Sequence, residues 1–193
     1  GTACEVVNLH EPDPVLEQGT GASVDIECTV ITMDASVDGM LTVRLAVMLS
    51  TAQRNVYALA GLQGSPIQMP AAYQVAAPFG VDIGGVNPAL FPVMAAAEVD
   101  SWLTIGATEG TTAISASPGF DLSVWTADTA LNQEGAIFYM DPSAGPLRGQ
   151  DNIIIAQVTS SSASGSAAAT LQGKSEDGFD DWTARAAWSW PPQ

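Results

Sequence analysis

The sequence is poor in basic residues and in charge of any kind. Five lysines and arginines stand against 21 aspartates and glutamates, and charged residues make up 13% of the chain, where a soluble domain has about 25%. Proteins bind phosphate backbones through clustered basic side chains. The basic residues are instead scattered, at Arg44, Arg54, Arg148, Lys174 and Arg185. The sequence therefore excludes nucleic acid as a partner.

Long apolar runs are also absent. The longest candidate, residues 40–49, is interrupted by Thr42 and Arg44 and falls short of the roughly 20 residues that cross a membrane. We predict no membrane span. Hydrophobic residues still make up 47% of the 193-residue chain, which is enough to build a sizeable core despite the net charge of −16.

The residues that support catalysis are scarce as well. The single histidine, His10, lies in a turn-forming stretch, His-Glu-Pro-Asp-Pro, and a nucleophile needs a base beside it. The phosphate-binding and dinucleotide-binding glycine motifs are missing too. We therefore predict that the protein is not an enzyme and needs no cofactor. A hydrolase built on paired carboxylates stays open as an alternative, because acids are plentiful.

There are only two cysteines, Cys4 and Cys28. Their spacing matches no zinc-binding pattern and favours a disulfide, which would contribute roughly 3 kcal/mol and place the protein outside the cytoplasm. Two free thiols are the alternative. We predict the Cys4–Cys28 disulfide and an extracellular or cell-surface location.

Apolar and polar residues alternate along much of the chain. Residues 24–33 and 41–49 show this period of two around a turn-rich stretch at 34–39, which predicts a β-hairpin. Further short strands are predicted at residues 55–62, 73–77, 99–105, 122–126, 136–140, 153–159, 167–172 and 182–190.

This spacing predicts an all-β fold, an antiparallel and jelly-roll-like β-sandwich of about 8–10 short strands. At most one short helix is expected, near residues 88–97, where Pro92 limits its length. The serine-rich stretch 160–166 predicts a hairpin loop. We expect a single domain over residues 21–193, preceded by an extended N-terminal segment, residues 1–20.

Two groups of side chains are candidate binding residues. Four carboxylates surround a glycine in one turn and could bind a cation such as calcium, which prefers several oxygen ligands: Glu176, Asp177, Asp180 and Asp181. Three tryptophans share one face of the last strand, because strand side chains alternate: Trp182, Trp188 and Trp190. If these rings are exposed, they would stack on glycans. If they are buried, they belong to the core, and the polar residues between them favour this second interpretation.

The chain contains no Asn-x-Ser/Thr sequence for N-linked glycosylation. Any glycan would be attached through oxygen, in serine- and threonine-rich stretches such as 159–166 and 108–117. We state O-glycosylation as a hypothesis.

The second half of the chain carries a series of sequence blocks in a definite order. They are Asn-Pro-Ala-Leu-Phe at 87–91, Asp-Ser-Trp-Leu-Thr-Ile-Gly at 100–106, an aromatic strand ending in Asp-Pro at 135–142, and Ile-Ile-Ile-Ala-Gln-Val-Thr at 153–159. This order resembles a poorly characterised exported domain of marine and planctomycete-like bacteria and of algae. The resemblance covers about residues 40–173, departs in the aromatic strand and implies an exported β-rich domain. A weaker likeness to algal lattice-forming shell proteins bears on assembly alone.

These observations lead to two hypotheses of function. The first is a non-enzymatic structural protein that is exported and assembles with copies of itself into a filament, tube or sheet. In this hypothesis the N-terminal segment would add as a strand to a neighbouring copy. The alternative is a carbohydrate-binding module of a larger exported protein, with glycans as partners.

Overall fold

A computed structural model describes residues 26–37, 39–149 and 152–190 of the chain. The expected N-terminal segment, with Cys4 and His10, lies outside these residues. The described part contains eleven strands: β1 (Ile26–Thr32), β2 (Leu41–Leu49), β3 (Ala58–Gly61), β4 (Ile67–Met69), β5 (Trp102–Leu103), β6 (Ser115–Ala116), β7 (Leu131–Gln133), β8 (Gly135–Phe138), β9 (Ile153–Ser160), β10 (Gly165–Lys174) and β11 (Asp181–Trp190).

The strands form two antiparallel sheets that pack on each other, which confirms the predicted β-sandwich. The smaller sheet has the order β1–β2–β9–β5. The larger sheet has the order β6–β8–β3–β10–β4–β7, with β11 paired to β10. β3 and β4 both pair with β10, so together they act as one interrupted strand. Their partners β8 and β7, which are also adjacent in sequence, act together in the same way.

The core lies between the two sheets and follows from the alternation in the sequence. In β2, Val43, Leu45 and Val47 are at most 1% exposed. They join inward residues of the larger sheet, such as Ile137 and Leu171, in one hydrophobic cluster. Burying a side chain of this size stabilises the fold by about 1.5–3 kcal/mol. The predicted β1–β2 hairpin is confirmed, with Ile26 opposite Leu49.

The outer face of the smaller sheet is covered as well. A second hydrophobic cluster contains Val86, Ala97 and Trp102, and the outward-facing Ile154 of β9 packs against it. The covering residues come from the long excursion between β4 and β5. β9 and the middle of β2 are therefore covered on both faces, which explains why Thr42 and Ala46, on the polar side of the alternation, are nevertheless buried, whereas Glu27 of β1 is exposed.

One hydrogen bond links the two sheets directly. The indole Nε1 of Trp188, on β11, donates to the carbonyl oxygen of Ala46, on β2, at 2.9 Å. The pairing of β2 with β9 shifts register between Leu45 and Ala46, which is a β-bulge, and bulges bend a strand and interrupt its ladder. The indole thus binds β2 at the bulge.

Several predicted elements are different in the structure. The stretch 87–97 forms two 3₁₀ helices, Pro88–Leu90 and Ala95–Val99, rather than one α-helix. Residues 122–126 are not a strand, because Asp121 caps a 3₁₀ helix at Leu122–Val124 through the Ser123 backbone N–H. A fourth 3₁₀ helix spans Pro142–Ala144. No helix among the described residues is long and apolar enough to cross a membrane.

Other differences concern strands and connections. Residues 73–77 form no strand, while β4, β6 and β7 were not predicted. The serine-rich connection after β9 is not a hairpin loop, because β9 belongs to the smaller sheet and β10 to the larger. The missed strands are two or three residues long, too short to show a clear alternation.

The inter-sheet hydrogen bond yields a test of the fold. We expect Trp188→Phe to lower the free energy of unfolding by about 1–2 kcal/mol more than Trp190→Phe, because only the first leaves a buried carbonyl without its donor. Trp190 is a matched control, since it is also buried and its indole makes no such bond within the described residues. Urea unfolding followed by circular dichroism measures both. Equal losses would contradict the role of this bond.

Candidate functional site

The two sheets have open edges on the same side of the sandwich. Among the described strands, β1 pairs only with β2 and β11 only with β10, and these two edge strands pack beside each other. The opposite edges, β5, β6 and β7, are two or three residues long. Short edge strands resist pairing with other chains, whereas a long edge is a template for it. The side with β1 and β11 is therefore the one suited to strand addition.

β11 is the longer of these edges, at ten residues. It contains no proline and no lysine, two of the residues that proteins use to block edge pairing. Its one basic residue, Arg185, folds back onto the larger sheet and donates to the carbonyl oxygens of Ser65 and Pro66 at 2.8 and 2.7 Å. In the described part of the chain nothing pairs with the outer edge of β11.

The three tryptophans of β11 face the core. Trp182, Trp188 and Trp190 are 5%, 2% and 6% exposed. The Nε1 of Trp182 is shared between the carbonyl oxygens of Asn55 and Lys174, each at 3.0 Å. Their assignment as possible glycan-stacking residues is therefore wrong in this structure, because no ring face is open to a sugar. The core interpretation is the correct one.

Small residues on β10 make room for these rings. Gly165, Ala167 and Gly173 pair with Trp190, Trp188 and Trp182 in turn. A Cβ atom on Gly165 would lie 2.3 Å from the Trp190 ring, and one on Gly173 would lie 2.6 Å from the Trp182 ring. The matching spacing of Gly-x-Ala on one strand and Trp-x-Trp on the other was a sequence signal for this packing.

The acidic turn, residues 175–181, joins β10 to β11. Three of its four predicted cation ligands have other partners. Glu176 pairs with Arg148 and Asp181 with Lys174, each at 2.9 Å, and Asp177 accepts from the backbone N–H groups of Phe179 and Asp180. The described residues contain no group of three metal-binding side chains. The structure thus does not bring Glu176, Asp177, Asp180 and Asp181 together as one calcium site.

This turn instead gathers basic residues. Besides Arg148 and Lys174, Arg54 lies against it, where a Cβ atom on Gly178 would come within 2.9 Å of the Arg54 Nη1. Three of the five basic residues of the chain therefore surround four of its 21 acids. Exposed ion pairs of this kind contribute about 0–1 kcal/mol to stability. Their clear effect is to neutralise most of the charge of the turn.

The outer face of the larger sheet is open and ends in a groove of about 830 Å³. We call it the serine groove. It lies at the end of the β10–β11 hairpin opposite the acidic turn, with β4 and β7 on one side and the connection after β9 on the other. None of the described residues that line it is charged, and they include Gln68, Asn132, Ser162, Ser166, Ala168 and Ala187.

A few acids outside the acidic turn have local structural roles. Asp121 and Asp141 accept hydrogen bonds from Ser123 and Ser143, and these bonds hold both pKa values below the ordinary range. Hydrogen bonds from Thr112 and the Thr108 backbone lower the pKa of Glu109 to about 2. Carboxylates that cap turns in this way are fully ionised near neutral pH and keep the surface negative.

Asp100 is the exception, because it is fully buried. Its two carboxylate oxygens accept the backbone N–H groups of Val75 and Val81, both at 2.7 Å. Burial raises the pKa of Asp100 to about 6, although these hydrogen bonds act in the opposite direction. The carboxylate fastens the loop 75–81 to the covered face of the smaller sheet.

The sequence blocks around Asp100 meet in one buried polar network. Gln157 of β9 is 1% exposed and donates to the carbonyl oxygens of Glu98 and Asp100, at 2.9 and 2.8 Å. Its own side-chain oxygen accepts from Arg44 at 3.0 Å. Asp100 and Gln157 belong to the second and fourth blocks on which the family resemblance depends. In this structure they anchor the excursion that covers the smaller sheet.

Only one of the two cysteines of the predicted disulfide lies among the described residues. Cys28 lies on β1, is 6% exposed and belongs to the core, and no free thiol occurs among the described residues. Cys4 lies outside them, so the Cys4–Cys28 disulfide stays a prediction. His10 lies outside them as well.

Comparison with protein-family models, with curated proteins and with solved structures finds no match to this chain. The resemblance to the exported bacterial and algal domain therefore stays a prediction. The features of the structure that bear on function are the sheet edges at β1 and β11, the acidic turn and the serine groove.

The buried carboxylate gives a second test. We expect Asp100→Asn to lower the free energy of unfolding by about 1–3 kcal/mol, since an amide NH₂ would face one of the two backbone donors. Because the folded pKa of Asp100 is raised, its contribution falls as pH rises from 3.8 to about 6. The difference between native and variant should thus be larger near pH 5 than near pH 7.5.

Urea unfolding at both pH values measures this difference. The pH dependence that comes from acids present in both proteins cancels when the two free energies are subtracted. A matched control is Asp128→Asn, because Asp128 is exposed and its side chain makes no hydrogen bond within the described residues. An Asp100→Asn penalty that does not change with pH would contradict the assignment.

Proposed function

We propose that the protein is an exported, non-enzymatic structural protein that assembles with copies of itself into a filament, tube or sheet. The observation that carries this proposal is the open ten-residue edge of β11, without a protecting proline or lysine. A strand of this kind binds an extended segment through main-chain hydrogen bonds. The N-terminal segment of a neighbouring copy, residues 1–20, is the strand that we expect to add there.

The distribution of charge supports assembly of like copies. Two copies with a net charge of −16 each repel one another, so they can approach closely only where charge is missing or balanced. The serine groove has no charge, the acidic turn is largely neutralised, and β11 carries only Asp181 and Arg185. All three features belong to the β10–β11 hairpin and its surroundings.

A carbohydrate-binding module is less well supported. That hypothesis needs exposed aromatic rings, and the tryptophans of β11 are buried. The serine groove has the size of a ligand site, roughly 300–1,000 Å³. Its hydroxyl and amide groups could bind a neutral sugar, but Trp188, the one aromatic residue that lines it, is 2% exposed. Glycan binding is therefore the outcome to test against self-assembly.

Assembly through β11 predicts a specific response to substitution. We expect the native protein to form polymers, detected by sedimentation velocity and electron microscopy. Thr183→Lys should raise the protein concentration needed for polymerisation about ten-fold, equivalent to roughly 1.4 kcal/mol, because a lysine on an edge strand opposes pairing. Thr51→Lys, at an exposed turn position, adds the same charge elsewhere and should assemble as the native chain does.

The same experiment has a salt and a peptide arm. Assembly should weaken as salt is lowered, because the Debye length grows from about 8 Å at 0.15 M to about 30 Å at 0.01 M and repulsion is no longer screened. A peptide of residues 1–20 should cap the polymers, while a scrambled peptide should not. A native protein that stays monomeric at every concentration and salt level would overturn the proposed function.

Intact-mass measurement of the natural protein tests export and modification together. We expect reduction to add two hydrogen atoms, because Cys28 is buried and Cys4 is the one other cysteine of the chain. O-glycosylation would show as mass beyond the 19.9 kDa polypeptide, and Ser161 and Ser162 are exposed acceptors. An unchanged mass on reduction would contradict the disulfide, and the bare polypeptide mass would contradict glycosylation.

A further inference from the structure

Phe179 is the most exposed large hydrophobic residue in the described part of the chain. Its exposure is 86%, against 77% for Met140 and 72% for Val93. It lies at the tip of the acidic turn, whose backbone is held by hydrogen bonds. The Phe179 N–H donates to the Asp177 carboxylate at 2.9 Å, and the Gly178 N–H donates to the Ser175 carbonyl at 2.8 Å. The ring is thus presented to solvent from a turn of defined shape.

The charge around the Phe179 ring is nearly balanced, whereas the rest of the chain is acidic. Arg148 and Lys174 pair with Glu176 and Asp181, and Arg54 lies against Gly178. Ion pairs this exposed stabilise the fold little, so folding alone does not account for three of five basic residues at one turn. They do allow this turn to approach another copy of an acidic protein.

The serine groove has the complementary properties. Its described lining carries no charge, and its apolar surface comes from side chains such as Ala130, Ala168 and Ala187. Its volume of about 830 Å³ exceeds the space that one aromatic side chain needs, so it can admit Phe179 together with the tip of the turn. Seryl hydroxyls and the amides of Gln68 and Asn132 surround it and can accept or donate to an exposed turn backbone.

The turn and the groove lie at opposite ends of the same hairpin. Gly165 pairs with Trp190 at the groove end and Lys174 pairs with Asp181 at the turn end, a separation of about 30 Å at the rise of a β-strand. A contact between two different patches of identical copies is heterologous and, unless it closes into a ring, generates an open filament.

From this geometry we propose that the acidic turn of one copy inserts Phe179 into the serine groove of a second copy. Copies then join end to end along the strands of the larger sheet. The proposal rests on the proposed function and specifies one of its contacts. It is separate from strand addition at β11, which joins copies side by side.

Two complementary variants test the contact. Phe179→Ser removes the inserted ring, and Ala168→Arg, on β10, fills the groove, and neither residue belongs to the β11 edge. Each variant alone should require at least about ten-fold more protein for end-to-end association than the native chain, a factor that corresponds to roughly 1.4 kcal/mol. Val93→Ser and Ala127→Arg make the same changes at exposed positions elsewhere and should behave as the native chain does.

Mixing the two variants gives the decisive measurement. The groove of Phe179→Ser is intact and so is the ring of Ala168→Arg. When both variants also carry Thr183→Lys to oppose strand addition, an equimolar mixture should form a one-to-one pair that cannot grow further. Analytical ultracentrifugation should detect this pair in the mixture and not in either variant alone. Circular dichroism and urea unfolding check that both variants are folded.

The possible outcomes separate the two proposals. Native polymers together with unimpaired single variants would overturn the end-to-end contact and leave self-assembly in place. The absence of a pair in the mixture would overturn it as well. Binding of a neutral oligosaccharide that Ala168→Arg abolishes and Phe179→Ser leaves unchanged, without any self-association, would assign the groove to a glycan and overturn both.

Discussion

The packing of three tryptophans against one small-residue strand is the interaction on which the rest of this fold depends. Gly165, Ala167 and Gly173 of β10 leave the space that the rings of β11 occupy. Trp188 then reaches across the core to the β2 bulge, and Trp182 binds the backbone of Asn55. Because β11 is held by its own rings in this way, it needs no further strand beside it. An edge strand can therefore stay open without loss of the core.

The positions of the few charged residues in the fold show what each of them does. Acids such as Asp121, Asp141 and Glu109 cap turns through short local hydrogen bonds. Asp100 is buried and holds a loop. The basic residues either brace the fold, as Arg185 does, or gather at the acidic turn. What is left between these sites is an uncharged surface of serine, alanine, asparagine and glutamine on the larger sheet. For an acidic protein this is the surface that copies can share.

Sequence alone predicted the parts of this structure that depend on neighbours in the chain. Alternation located β2 at its observed limits and β11 to within one residue, and the small polar residues between the tryptophans indicated a buried face. The features that matter most for function depend on distant residues. Arg148 lies 28 positions from Glu176 in the sequence, and the groove combines β4, β7, β10 and the connection after β9. No local pattern in the sequence shows such contacts, so the ion pairs of the acidic turn could not be predicted from it.

The two proposed contacts would act in two directions. Strand addition at β11 would extend the larger sheet sideways, and insertion of Phe179 would extend it along the strands. Either contact alone would produce a filament, whereas both together would produce a sheet, or a tube where the side-by-side contact curves. Since the proposed sideways contact would add the N-terminal segment, whose residues 1–20 carry four carboxylates, to an acidic neighbouring copy, it is the more sensitive of the two to screening by salt. The end-to-end contact joins neutralised or uncharged patches. Ionic strength should therefore select between filament and sheet, without any change in the chain itself.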